Sequence, residues 1–250
     1  MPQIKYKSDA EIEKMRLSGR LSAEVLSELA KAVVPGITTG EIDALARKLI
    51  KDCGGIPSFL GYCGYPAAVC VSINEVVIHG IPGDRVVREG DVVSLDIGVR
   101  KNGFHGDNAL TVAVGEIDAD RRRLLDYTER ALEAGIEAAK PGARLSDVSH
   151  AVQKVAEEGG LGIVRDYVGH GIGRDMHEEP QVPNFGREGR GPLLKPGMVF
   201  CIEPMLNLGR APVRVLDDGW TVMTRDGSCS AHFERMVAIR EDRTEVLTPW

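Results

Sequence analysis

The chain has 250 residues, 43% of them hydrophobic and 27% charged, the balance of an ordinary globular protein, which excludes disorder, collagen-like repeats and coiled coil. A chain of this length buries roughly 70–75% of the surface its unfolded form exposes, so it can fold without a disulfide or a metal. Its net charge of -6 argues against a general nucleic-acid binder.

Ser8-Asp9-Ala10-Glu11 is a capping box in which Ser8 and Glu11 can satisfy each other's backbone donors, and it predicts the start of a first helix. Ile12, Met15, Leu21, Val25, Leu26 and Leu29 then recur at helical spacing as far as Pro35-Gly36. A second helix is predicted from Thr38 or Thr39, with Glu41 and Asp43 suiting its positive N-terminal end, and it stops at Cys53-Gly54-Gly55. From Val69 to about Val114 the pattern changes to short β-branched runs, VCVSI, EVVIHG, DVVSLDIGV and LTVAV, separated by Gly, Pro and Asn. Those runs predict strands and turns.

The second half repeats this plan. Pro35-Gly36 and Pro141-Gly142 stand 106 positions apart, and at that offset Glu41 falls on Asp147, Lys48 on Lys154 and Gly54 on Gly160. The stretch from Gly90 to Asp96 aligns with that from Gly197 to Glu203 at an offset of 107, and His79-Gly-Ile-Pro82 matches His177-Glu-Glu-Pro180 at 98. Several matches in one order predict two related α+β halves, roughly residues 8–115 and 118–245, packed about a pseudo-twofold axis in one domain spanning residues 1–250. Asp96 and Glu203 would then occupy equivalent points on two apolar strands and could face each other across the axis.

Acids stand where acids are costly: Asp96 in VVSLDIGV, Glu203 in VFCIEPM and Glu234 in AHFERMVAI. A carboxylate among apolar strand neighbours loses several kcal/mol of hydration unless a cation or strong donors compensate. Asp107 lies 11 positions beyond Asp96, a distance that suits two arms of a hairpin turning at Asn102-Gly103. His170 sits among glycines that allow close backbone approach, in VGHGIG. Singly, Asp96 could cap a turn, Glu203 could pair with an arginine and His170 could be a plain loop residue. Four carboxylates and an imidazole on one centre would be balanced by two divalent cations, and such sets are the usual ligands of binuclear hydrolytic sites.

At these residues the chain resembles a type I methionine aminopeptidase, a metallopeptidase of M24 type, and it does so over nearly its whole length. The matching segments are GYCGYP from Gly61, SINEVVIHGIPG, LDIGV followed by GFHGD, GHGIG followed by HEEPQV, GMVFCIEPM, and WTVMTRDGSCSAHFE. The resemblance implies the pita-bread fold, in which two related α+β halves surround a central antiparallel sheet. It also implies that Asp96, Asp107, His170, Glu203 and Glu234 hold two divalent ions (manganese, iron, cobalt or zinc), with Asp107 and Glu234 bridging them. His79 and His177 match two histidines that hold the substrate amide and stabilise the tetrahedral intermediate, and Glu203 matches the group that moves the proton. Tyr62, Tyr65, Cys70, Met176 and Trp220 fall where the family builds its pocket for the methionine side chain. The implied activity is removal of the initiator methionine from nascent chains and peptides, with transient ribosome association and a monomeric state.

The alternatives are a proline-specific (Xaa-Pro) aminopeptidase of the same fold and a metal-free binding module. The former usually carries an extra N-terminal domain, for which there is no room before Asp96; the latter loses ligand positions that are intact here. Five positions depart from the family pattern: Val168 where Cys is frequent, Met176 for Phe, Asn108 and Cys201 for Thr, and His232 for Gln. None removes a ligand, but Met176 changes the wall of the methionine pocket, His232 stands close enough to Glu234 to alter the electrostatics of the site, and together the departures predict a divergent copy with a shifted preference for the second residue of the substrate. His105 and His150 read as structural, and the cysteines as buried hydrophobes rather than nucleophiles. No run of eighteen apolar residues occurs, the N-terminus lacks the apolar core of a secretory signal, and the five cysteines contain no C-x-x-C pair. Free thiols fit a reducing compartment and, with these absences, predict a cytoplasmic protein with no membrane contact; the acidic net charge predicts no specific nucleic-acid binding.

Overall fold

A computed structural model describes residues 3–250. Two helices open the chain, α1 (Asp9–Ala32) and α2 (Thr39–Asp52), followed by strands β1 (Ile56–Pro57), β2 (Cys70–Ile73), β3 (Val76–Ile78), β4 (Val92–Lys101) and β5 (Phe104–Ala113). Two more helices follow, α3 (Ala119–Ala138) and α4 (Leu145–Glu158). The rest is β: β6 (Gly162–Ile163), β7 (Gly169–Gly171), β8 (Glu178–Val182), β9 (Val199–Ile202) and β10 (Met205–Asn207). Last come β11 (Val213–Val215), β12 (Val222–Thr224), β13 (Ser230–His232), β14 (Glu234–Ile239) and β15 (Thr244–Val246).

Local chemistry starts these helices. The Ser8 hydroxyl accepts the Glu11 N–H at 3.4 Å while Glu11 accepts the Ser8 N–H at 3.1 Å, closing the capping box of α1. Thr38 and Glu41 do the same for α2, at 3.2 and 2.8 Å. In α4 the carboxylate of Asp147, the residue aligned with Glu41, accepts the Arg144 N–H at 2.7 Å. Helices α2 and α4 each run fourteen residues. Isolated bridges join Thr38 to Val86 and Arg144 to Leu193, again at nearly one offset.

The main sheet has nine antiparallel strands in the order β1-β4-β5-β14-β9-β7-β8, with β2 added to β4 and β15 to β14. Strands alternate faces, and one face of the sheet is apolar. Val93, Leu95, Ile97 and Val99 of β4 pack against Val25, Leu26 and Leu29 of α1 and Ile42 and Ile50 of α2. Phe200 and Ile202 of β9, with Val237 and Ile239 of β14, pack against Leu124 and Leu132 of α3 and Val148 and Val152 of α4. Burying a residue of this size contributes about 1.5–3 kcal/mol each, so two such layers hold the helices on the sheet; Val199 and Cys201 of β9 and Met236 and Ala238 of β14 belong to a third apolar cluster, which also takes in Cys70 and Met176.

The β4–β5 hairpin turns at Asn102 (φ 52°) and Gly103 (φ 81°), the left-handed pair a tight hairpin turn requires. It pairs without interruption from Lys101↔Phe104 to Val92↔Ala113. Strand β3 is shorter than the run EVVIHG implies. His79 takes φ 59°, which breaks the extended backbone immediately after Ile78.

Candidate active site

Register decides where the acids go. Asp96 lies opposite Ala109 and Asp107 opposite Gly98, so both carboxylates leave the hairpin on the face away from α1 and α2. Glu234 opens β14, also opposite Ala109, and Glu203 follows directly on β9. His170 is the middle residue of β7, between two glycines that have no room for a side chain. A Cβ at Gly169 would meet the Cys201 carbonyl, and one at Gly171 the Glu179 carbonyl. The imidazole is thereby pressed into the acids: His170 Nε2 is 3.6 Å from Asp107 Oδ2 and 3.6 Å from Glu203 Oε1.

No lysine or arginine pairs with these four acids among the described residues; the only basic groups that meet them are the histidines His170 and His232. Asp96, Asp107, Glu203 and Glu234 each keep a buried oxygen with no hydrogen-bond partner. Burial pushes Asp107 up to about 8. Burial, and then the neighbouring carboxylates, hold Asp96, Glu203 and Glu234 well above the usual range. Burial lowers His170 to about 4, which leaves a neutral imidazole with a free lone pair. Donor atoms of Asp107, His170, Cys201 and Glu234 all lie within 4.8 Å of one another. At that separation two carboxylates repel by about 3–4 kcal/mol at an effective dielectric near 20, and a divalent cation between them reverses the sign. Orphaned oxygens, a neutral imidazole and the absence of a basic partner fit a divalent-metal site.

The acids floor a cavity of about 150 Å³. Tyr65 is fixed in its wall by hydroxyl bonds to the carbonyls of Val69 (3.2 Å) and Gly80 (2.9 Å), and its ring meets Trp220 edge-on at 5.1 Å. Cys70, opposite Asp96 on β2, and Met176 are both buried there. His79 lies edge-on to Trp220 and Tyr167, and burial and then His177 bring it to about 4, so it is uncharged near neutrality. At the mouth, Tyr62 bonds His177 Nδ1 at 2.7 Å, and the His177 ring stands 4.2 Å from that of His170. Burial at the cavity, then His170, hold His177 far below its ordinary value.

All twelve residues singled out in the sequence border this one cavity. Four further walls were missed: Phe59, Ile78, Tyr167 and Val168. Ile78 directly precedes His79, and Tyr167 and Val168 directly precede the segment of His170, so chain adjacency was a signal for three of them; Phe59 had none. Cys201 and His232 also reach the acids, His232 Nε2 lying 3.8 Å from Glu203 Oε2. A signal existed for Cys201, which precedes Glu203 by two positions and so points to the same side of its strand. His105 bonds Ser58 at 2.8 Å, and His150 is exposed on α4.

Comparison with known proteins agrees with this geometry. The profile of metallopeptidase family M24 matches residues 13–241. Methionine aminopeptidase 1 of Bacillus subtilis is 50% identical over 242 residues, covering 97% of this chain and 98% of that protein. The crystal structure of methionine aminopeptidase from Thermotoga maritima superposes with a TM-score of 0.97 at 45% identity, over 99% of this chain and 100% of that one. Prolidase from Pyrococcus furiosus shares the pita-bread fold at a TM-score of 0.79 and 24% identity, over 98% of this chain and 65% of its own length. A sheet of this topology, a floor of uncompensated acids and a match through almost the entire chain place the protein in metallopeptidase family M24, among its methionine aminopeptidases.

Proposed function

We propose that this chain hydrolyses the first peptide bond of proteins and peptides that begin with methionine, releasing the free amino acid. The observation that carries the reading is the set of buried acids with unpartnered oxygens lying directly beside a small, largely apolar pocket. Asp96, Asp107, His170, Glu203 and Glu234 are the residues that would hold two divalent ions, which when bound supply Lewis acidity toward the attacking water and the scissile carbonyl.

The chain's own groups do the rest. Glu203, with one oxygen free of any hydrogen bond, takes the proton of the attacking water and passes it to the leaving amine. His177 and His79, both uncharged near neutrality, hold the scissile amide and donate to the oxygen as charge develops on it. Tyr62, Tyr65, Cys70, Met176 and Trp220 enclose an unbranched apolar side chain and exclude water from it.

The ions are drawn from manganese, iron, cobalt and zinc, all compatible with mixed carboxylate and imidazole donors. Five free cysteines support a reducing, cytoplasmic setting. There a monomer would meet nascent chains at the ribosome. No helix among the described residues is long and apolar enough to cross a membrane. Neither a proline-specific peptidase nor a metal-free binding module is favoured: the relatives at about half identity are methionine aminopeptidases, and the acids have no other counter-charge.

The test is a cleavage assay on peptides beginning Met-Ala and Met-Pro, run with each metal in turn after chelation. The reading expects free methionine to appear only with metal. Release of Xaa from Xaa-Pro peptides alone, or no release with any ion, contradicts it.

A further inference from the structure

The segment carrying Tyr62 is a closed turn. Gly61 (φ 81°) and Gly64 (φ 90°) adopt left-handed backbone, and so does Cys63 (φ 48°), where a side chain makes that conformation unfavourable. The Tyr62 N–H donates to the Phe59 carbonyl at 2.9 Å, the Tyr65 N–H to the Tyr62 carbonyl at 2.9 Å, and the Gly61 N–H to the Tyr65 carbonyl at 2.8 Å. The phenol of Tyr62 is therefore presented by a rigid backbone even though it stands at the cavity mouth. Its oxygen meets His177 Nδ1 at 2.7 Å, and the two rings lie 5.3 Å apart at 36°.

A neutral imidazole carries one proton on one of its two nitrogens, and a partner at one nitrogen selects the tautomer at the other. From this contact we infer that Tyr62 is a positioning residue: its hydroxyl donates to His177 Nδ1 and so keeps the His177 proton on Nε2, the nitrogen free to serve the reaction. The phenol is a reliable donor, since partial burial, and then Cys63, raise its pKa above the ordinary tyrosine value. With the opposite assignment His177 would offer only a lone pair at Nε2 and could not donate to a developing oxyanion. The inference rests on the role given to His177 above, and goes beyond it by naming what holds that ring in its working form.

Three proteins test it, all zinc-loaded and full length: the unaltered chain, Tyr62→Phe and His177→Ala. Nitrogen-15 spectra of the histidine rings should show Nδ1 of His177 unprotonated and Nε2 protonated in the unaltered chain, and a mixture of tautomers in Tyr62→Phe. Turnover of a Met-Ala peptide by Tyr62→Phe should fall about fivefold to tenfold in kcat, the value of one hydrogen bond, with KM nearly unchanged. A proton found on Nδ1 in the unaltered chain, or a Tyr62→Phe protein with unaltered kcat, overturns the inference about Tyr62 while a crippled His177→Ala leaves the reading of His177 standing. Full turnover by His177→Ala overturns both.

Discussion

Glu203 shows how much one side chain is asked to do. It is 9% exposed, its Oε1 has no hydrogen-bond partner, and burial followed by the charges of Asp107 and Asp96 raises its pKa. If it both binds metal and moves the proton, Glu203→Gln should lower kcat by about 10²–10⁴ and weaken metal binding; turnover and metal content read together check this. The same electrostatics predict a pH dependence for the chelated protein. A carboxyl with a raised folded pKa stabilises the fold below its unfolded value and loses that contribution as pH rises through the folded value. For Asp107 the window runs from 3.8 to about 8, so the chelated chain should melt at progressively lower temperature across it. Excess manganese should restore the melting temperature at the upper end, where the acids are ionised. A melting temperature flat in pH with and without metal would show that these acids do not have raised pKa values in the folded chain.

At the scale of elements, the segment before α1 holds the loop that carries His177. Lys7 and Glu178 are almost wholly buried, 5% and 2% exposed at their side chains, and their charged atoms meet at 2.6 Å. Burial alone would raise the Glu178 pKa; bonds from Lys7 and the Asp175 N–H outweigh it, and the value is lowered. Lys7→Met leaves that buried carboxylate with Lys5 alone, at 3.4 Å, and should destabilise the fold by up to about 3 kcal/mol, whereas Lys7→Met with Glu178→Met should recover most of the loss. Denaturant melts of the three chains decide it. Elements of this kind differ in how openly the sequence announces them. Helix starts were legible because capping is local, as Ser8 with Glu11 and Thr38 with Glu41 demonstrate. The hairpin was legible because Asn102-Gly103 supplies left-handed backbone where the strands must turn. The early end of β3 was not, since nothing in EVVIHG announces that His79 leaves the extended region. Lys7 was equally silent: its partner lies 171 positions away, and only the folded chain brings them together.

For the whole molecule, the site belongs to neither end of the chain. Asp96 and Asp107 come from the β4–β5 hairpin; His170, Glu203 and Glu234 come from β7, the end of β9 and the start of β14. The two groups meet where β5 and β14 pair, through Glu234↔Ala109 and Arg235↔Asn108 alone. Acids on both sides of that short junction repel when ionised, so the account makes the bound cations a staple between the two parts of the sheet. The recurrence of helix caps and strand starts at offsets of 106 and 107 was legible in the sequence as an expectation of two related halves; the wall Phe59 was hidden because only tertiary packing brings it to the cavity. The most direct measurement is a calorimetric titration of manganese into the chelated full-length chain at neutral pH, with the melting temperature followed at each step. The account predicts two ions bound per chain and a single unfolding transition that moves upward as they bind. An absence of binding in excess manganese, with an unmoved transition, would contradict it.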